Sequence, residues 1–217
     1  MVEIVVAGPA HDFEAFNLRF GAALSFHGVH IVKGGLTERW ESVKNALEHI
    51  TTNVDRIVVH DAARPALTNT LFDRLLIASK ELNAVALAVA ITGTVKRSTN
   101  DPVTIGDDDA IADSILGTST QEQVTAFQVQ ETIDRTNLWE LQTPQIFEPS
   151  LLRRGYDQSS LVGVTDDAQV IEKLGVPVFL IDGDNRNIKV TTQADLQLVK
   201  AVLGVKGEKQ RPAHKRF

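Results

Sequence analysis

The richest chemistry in the chain stands in His60-Asp61-Ala62-Ala63-Arg64-Pro65. Asp61 offers a carboxylate that can hold a cation or a hydroxyl. Arg64 offers a rigid fork of donors suited to phosphate or carboxylate. The two alanines between them are small enough to let a ligand approach the backbone. Five further stretches carry groups of the same kind: Gly34-Gly35 with Arg39-x-x-Ser42-Val43, Thr94-Val95-Lys96-Arg97, Asp134-Arg135 with Thr143-Pro144-Gln145, Thr165-Asp166-Asp167-Ala168, and Asn187-Ile188-Lys189-Val190-Thr191. Read alone, each has a plainer role. Asp61 caps a turn, Arg64 is a surface charge, Arg135 a helix-surface charge and Lys189 a solvated strand end. Gly35 is then a turn glycine and Ser42 a helix-surface serine.

The elements that must position these groups follow from apolar spacing. Ile57-Val58-Val59 is a short β-branched run of the kind buried on both faces of a parallel sheet. Asp61 then lies beyond the carboxyl end of a strand, where ligands bind in open α/β sheets. Further strands are expected at Ile4–Ala7, Val29–Val32, Ala84–Ala90, Val176–Ile181 and Ile188–Val190. Helices are expected where Phe13, Phe16, Phe20 and Leu24 recur, where Trp40, Val43, Leu47 and Ile50 recur, and where Leu71, Leu75, Ala78 and Leu82 recur. Thr37 is the expected N-cap of the second helix, Thr68 or Asn69 that of the third, and Thr165 that of a later one ended by Gly175. Gly28 is a helix stop, and Gly155 ends or interrupts a helix opened by Pro149. Thr192-x-x-Asp195 reads as a capping box. The alternation argues for a mostly parallel, doubly wound α/β sheet in one domain, residues 1–204. Residues 98–123 break it, with Asp107-Asp108-Asp109 and Gly117-Thr118-Ser119-Thr120, and read as part loop and part extended ribbon. Val124–Glu131 is a returning strand. The tail, 205–217, is polar and basic and expected to be disordered.

Composition narrows the classes. The 217 residues have a formal net charge of −6, which argues against broad nucleic-acid binding. The absence of cysteine excludes disulfides, thiolate zinc sites and cysteine nucleophiles, and fits a reducing cytoplasm. No apolar run approaches the ~20 residues of a membrane span.

Taken together and in order, the six stretches resemble the 2-C-methyl-D-erythritol 4-phosphate cytidylyltransferase family. The resemblance runs from about Ile4 to Leu203. It implies a Rossmann-like nucleotidyltransferase fold with a projecting β-arm at about 95–135, and a cytoplasmic enzyme. The implied reaction joins CTP and a sugar-alcohol phosphate to give a CDP-alcohol and pyrophosphate, with Mg²⁺ as the divalent ion. Arg135 and Lys189 match the residues that position the substrate phosphate. Arg64, Thr94 and Thr165 match the alcohol-phosphate pocket. Asp61 matches a residue beside the ribose, the metal and the substrate hydroxyls. Gly35, Ser42 and Ala62 match nucleotide contacts. The arm implies a homodimer in which each site borrows residues from its neighbour.

The family's first strand and its A-A-G-x-G-x-R triphosphate loop have no match here, and Gly8-Pro9-Ala10-His11-Asp12 is no substitute. That strand belongs between the strands matching Ile4–Ala7 and Ile57–Val59. Two edges are therefore expected to lack ladder partners, which implies either a start upstream of Met1 or an inactive, poorly stable product. A ribitol 5-phosphate cytidylyltransferase and a non-catalytic relative remain open alternatives.

Overall fold

The structure is a computed structural model that describes residues 2–105 and 123–205. Its elements in chain order are β1 (Ile4–Gly8), α1 (Phe13–Phe26), β2 (Val29–Lys33), α2 (Arg39–Glu48), β3 (Ile57–Val59), α3 (Asn69–Ser79), β4 (Ala84–Ala90), β5 (Val95–Ile105), β6 (Val124–Ile133), β7 (Trp139–Phe147), α4 (Pro149–Tyr156), α5 (Asp167–Glu172), β8 (Phe179–Asp182) and α6 (Gln193–Val202). The chain divides into two units, Met1–Val89 with Leu141–Phe217, and Ala90–Glu140.

In the first unit the strands form two sheets. β1 pairs with β2 in parallel, and a four-stranded sheet runs β3-β7-β4-β8. β4 and β8 are parallel, while β7 lies antiparallel to β3. The sheet is thus mixed where β7 enters. No described strand joins β1 to β3, so the two edges expected to lack partners do so among the described residues.

β4 is the spine of the larger sheet: Ala84 through Ala88 are fully buried. Alternation along a strand sends successive side chains to opposite faces. Val85 and Leu87 accordingly pack with Leu71 and Leu75 of α3. On the other face Ala84 joins Ile57, Val59 and Phe147 under Leu47, Leu152 and Val170. Helices therefore cover both faces, as a doubly wound sheet requires.

Several helix ends differ from expectation. α2 is capped by Glu38 in a capping box with Glu41, not by Thr37, because the Glu41 carboxylate reaches back to the backbone of both Thr37 and Glu38. α5 is capped by Asp166, whose carboxylate accepts from the Gln169 N–H, while Thr165 donates instead to the Gln169 side chain. Gly155 lies inside α4. A Cβ there would sit 2.7 Å from Val170 Cγ1, so the glycine serves close packing on α5. Thr68 caps α3, Gly28 takes φ +72°, and Thr192 with Asp195 forms the capping box of α6. Ile188–Val190 forms no strand. The Val190 N–H spends its bond on the Ala63 carbonyl at 2.8 Å, outside any ladder.

The second unit is an antiparallel ribbon of β5 and β6 with a bulge between Arg97 and Pro102. The acidic run at 107–109, the 117–120 cluster and the tail from Lys206 lie outside the described residues. No described helix is long and apolar enough to cross a membrane.

Candidate functional site

A cleft of about 180 Å³ opens in the first unit, lined among others by Arg39, Asp61, Arg64, Thr143, Thr165 and Lys189. Asp61 stands two residues past the end of β3, and a turn from its carbonyl to the Arg64 N–H carries the chain onward. Its carboxylate is shared. Oδ1 accepts from Arg39 Nε at 3.0 Å and Nη2 at 2.9 Å, and Oδ2 lies 2.9 Å from Lys189 Nζ. Burial works to raise the Asp61 carboxyl, but the bond from Lys189 and the charge of Arg39 hold it below the ordinary range.

Arg39 also reaches inward. Its Nη1 forms an ion pair with Asp167 Oδ2 at 2.9 Å. Asp167 is fully buried, and its Oδ1 accepts from the Tyr156 hydroxyl at 2.5 Å. Burial raises the Asp167 carboxyl above its usual range, against the pull of Arg39. The Arg39 guanidinium is held above its usual value despite its own burial, by Asp167 and Asp61 together.

Behind the cleft lies a second network. The Asp61 N–H donates to Thr143 Oγ1 at 3.0 Å, and Thr143 Oγ1 lies 3.1 Å from His60 Nδ1. His60 Nε2 faces the Arg64 carbonyl at 3.1 Å. A carbonyl only accepts, so Nε2 carries the proton and Nδ1 receives the threonine hydroxyl. Asn187, fully buried, donates to the Thr143 carbonyl at 2.9 Å, and its own carbonyl accepts from Arg64 Nη1 at 2.7 Å. Arg64 is 7% exposed, so it is no surface charge. Its fork braces the Asn187 and Leu141 carbonyls at the cleft wall.

His60 gives a pH prediction. Burial lowers its pKa below the ordinary 6.5. The fold therefore holds it neutral, and an unfolded chain takes up the proton first as pH falls through 6.5. Stability is expected to drop below that pH, and His60→Asn is expected to flatten the drop. Urea midpoints from pH 7.5 to 5 measure both; equal slopes would remove His60 from the account.

The expected site residues divide by position. Asp61, Arg64, Thr165 and Lys189 line the cleft. Ala62 is exposed in the turn beside it. Gly35 and Ser42 join each other at the start of α2, the Gly35 N–H donating to Ser42 Oγ at 2.9 Å. A Cβ on Gly35 would fall 2.2 Å from Glu41 Cβ, so only glycine fits. Thr94 and Arg135 belong to the second unit, both exposed. Thr94 precedes β5. Arg135 opens a turn closed by the Leu138 N–H, in which Asn137 takes φ 61°.

Nothing in the sequence pattern gave Arg39, Tyr156, Asp167 or Asn187 an individual role in the site. One signal was present. Arg39 is the first residue of α2, where a cation runs against the helix dipole and needs a carboxylate to hold it.

A family model described as 2-C-methyl-D-erythritol 4-phosphate cytidylyltransferase matches residues 1–110 and 107–205. The 2-C-methyl-D-erythritol 4-phosphate cytidylyltransferase of Trichodesmium erythraeum is 31% identical over 202 residues, covering 92% of this chain and 78% of its own length. That of Bacillus cytotoxicus is 34% identical over 197 residues, covering 89% and 73%. Among solved structures, a 4-diphosphocytidyl-2C-methyl-D-erythritol synthase superposes with a TM-score of 0.70 at 31% identity, over 93% of this chain and 82% of that one. The synthase from Anaerococcus prevotii gives 0.69 at 26% identity, over 93% and 81%.

Proposed function

This chain belongs to the 2-C-methyl-D-erythritol 4-phosphate cytidylyltransferase family, and from that premise we propose how its cleft serves the transfer of CMP from CTP to 2-C-methyl-D-erythritol 4-phosphate. An oxygen of the alcohol phosphate bonds to the α-phosphorus of CTP as the bond to the departing pyrophosphate breaks. Such a reaction asks the protein to bring two anions together and to neutralise the phosphoryl oxygens. The observation that carries the reading is Asp61 held between Arg39 and Lys189 at the mouth of a small polar cleft.

Lys189 is the movable cation of the pair, with a side chain 43% exposed. It turns from Asp61 to the substrate phosphate. Thr165 contributes a hydroxyl to the alcohol-phosphate pocket, and Arg64 keeps its wall in place. For Arg135 and Thr94, phosphate positioning and alcohol-phosphate binding are the roles that the family resemblance implies. Gln145 Oε1 is buried without a partner among the described residues and accepts a hydroxyl of the alcohol. Gly35, Ser42 and Ala62 meet the cytidine side.

The donor set fits Mg²⁺ as it travels with nucleotides. No described cluster of three His, Cys, Asp or Glu side chains could hold a metal alone. Mg²⁺ in such sites takes one or two carboxylates and completes its shell with phosphates and water. Asp61 is that carboxylate. When bound, the ion neutralises charge on the triphosphate.

The second unit supports a homodimer. Ile105 and Val124 pair across the ribbon on one face, with Val103 beside Ala126, and Val103, Ile105 and Val124 are each more than half exposed. A lone two-stranded ribbon is marginal in water, and an apolar face on it calls for a partner. We place a second copy there, in the cytoplasm that the cysteine-free composition suits. Sedimentation at micromolar concentration is expected to give a dimer, and Val103→Asp with Ile105→Asp a monomer. A wild-type monomer would overturn this part.

Activity is tested by pyrophosphate release dependent on both CTP and the alcohol phosphate. The family's glycine-rich loop has no counterpart in the 217 residues. The assay is run on the 217-residue protein. No release, or release indifferent to the alcohol, would overturn the reading.

A further inference from the structure

We propose that Arg39 is a positioning residue for this reaction: anchored on buried Asp167, it closes on one oxygen of Asp61 and leaves Oδ2 as the single oxygen that Asp61 presents to the cleft. The inference deepens the cytidylyltransferase reading and rests on it.

An arginine fork commonly grips both oxygens of a carboxylate through two parallel bonds. Here Nε and Nη2 converge on the same oxygen, Oδ1, at 3.0 and 2.9 Å. The other oxygen is held by Lys189 at 2.9 Å. The remaining nitrogen, Nη1, is tied to Asp167 at 2.9 Å. Asp167 does not line the cleft and is fully buried. It is fixed in turn by the hydroxyl of Tyr156, itself 2% exposed.

The two cations on Asp61 therefore differ in kind. Lys189 is a flexible point charge that can leave, whereas Arg39 is planar and bound at three nitrogens. Whatever takes Oδ2 displaces Lys189 and finds the carboxylate in one orientation. Arg39 faces the cleft, and three of its five N–H donors are held by carboxylates on two sides, which fixes the plane of its fork. Its place at the start of α2 opposes the helix dipole and has no local explanation. Groups that hold a metal-binding carboxylate in this way are worth about 10–100-fold in metal affinity.

The test uses Asp167→Asn and Arg39→Lys. Asparagine has one acceptor oxygen where aspartate has two, so either Tyr156 or Arg39 loses its partner. Lysine cannot span Asp61 and Asp167 together. Calorimetry measures CTP binding with MgCl₂ and with excess chelator. Both variants are expected to lose about 10-fold or more of the gain that MgCl₂ gives, while binding in chelator stays within about 2-fold. A brace with only a structural role would weaken both conditions alike, and that result, or an unchanged gain, overturns the proposal. Should Arg39→Lys fail to fold, Asp167→Asn carries the comparison.

A second readout does not depend on nucleotide. Among the described contacts, Asp167 is joined to Asp61 through Arg39. The ¹³Cγ resonance of Asp61 at fixed pH is therefore expected to move in Asp167→Asn; an unmoved resonance overturns the proposal. Absence of CTP binding in the wild type would remove the cytidylyltransferase reading, and the resonance would then decide the clamp alone.

Discussion

Lys189→Ala is expected to lower turnover about 10²-fold or more, and Arg135→Ala by a similar factor, measured as pyrophosphate release. The attacking group is a phosphate, and the molecule it attacks is a triphosphate. Without cations on the attacking side, the two repel each other before any bond forms. A lysine at the mouth of a partly buried cleft acts more strongly than the same charge in bulk water. Lys189 has little competing structural duty. Its side chain is 43% exposed, and Asp61, its one ion partner among the described residues, keeps both contacts from Arg39 when the ammonium is removed. Partly exposed pairs of this sort contribute about 0–1 kcal/mol to stability, so the melting temperature should barely move. Steady-state pyrophosphate release and a thermal melt on the same sample separate the two effects. Near-wild-type turnover in a folded Lys189→Ala protein would take Lys189 out of the reaction, and the same holds for Arg135.

What could be read in advance was what is encoded locally. The apolar run of β4, the β-branched run of β3, the positive φ of Gly28 and the capping box of α6 each depend on residues within one turn or strand. Motif order then placed Asp61, Arg64, Thr165 and Lys189 around one cleft. Threonine caps were misjudged at Thr37 and Thr165 because an acidic residue next along the chain competed for the same N–H groups, as Glu38 and Asp166 do. Ile188–Val190 looked like a strand because its β-branched residues favour extended backbone. The Val190 N–H bonds the Ala63 carbonyl instead. The Arg39–Asp167–Tyr156 chain was the hardest to see. No spacing rule connects a helix start, a later helix start and a helix end, and nothing in the sequence says which aspartate of Thr165-Asp166-Asp167 turns inward.

That inward turn gives the largest expected effect on stability. Asp167→Ala should destabilise the protein by about 3 kcal/mol, near the lower end of what breaking a buried ion pair costs. The lower end applies because Arg39 is 32% exposed in its side chain and can recover some hydration. The Tyr156 hydroxyl cannot, since Tyr156 is 2% exposed and loses its acceptor. Of that cost, a buried donor left without a partner accounts for about 1–3 kcal/mol. Tyr156→Phe alone should cost less, because the ring keeps its place in the core and Asp167 keeps Arg39. The double variant Asp167→Ala, Tyr156→Phe removes the orphaned hydroxyl together with the carboxylate. It is expected to be more stable than Asp167→Ala, with a coupling free energy of about 0.5–3 kcal/mol between the two positions. Urea midpoints for the set measure this directly. An Asp167→Ala midpoint within error of wild type would mean that the buried carboxylate gains nothing from its two partners beyond its own desolvation cost.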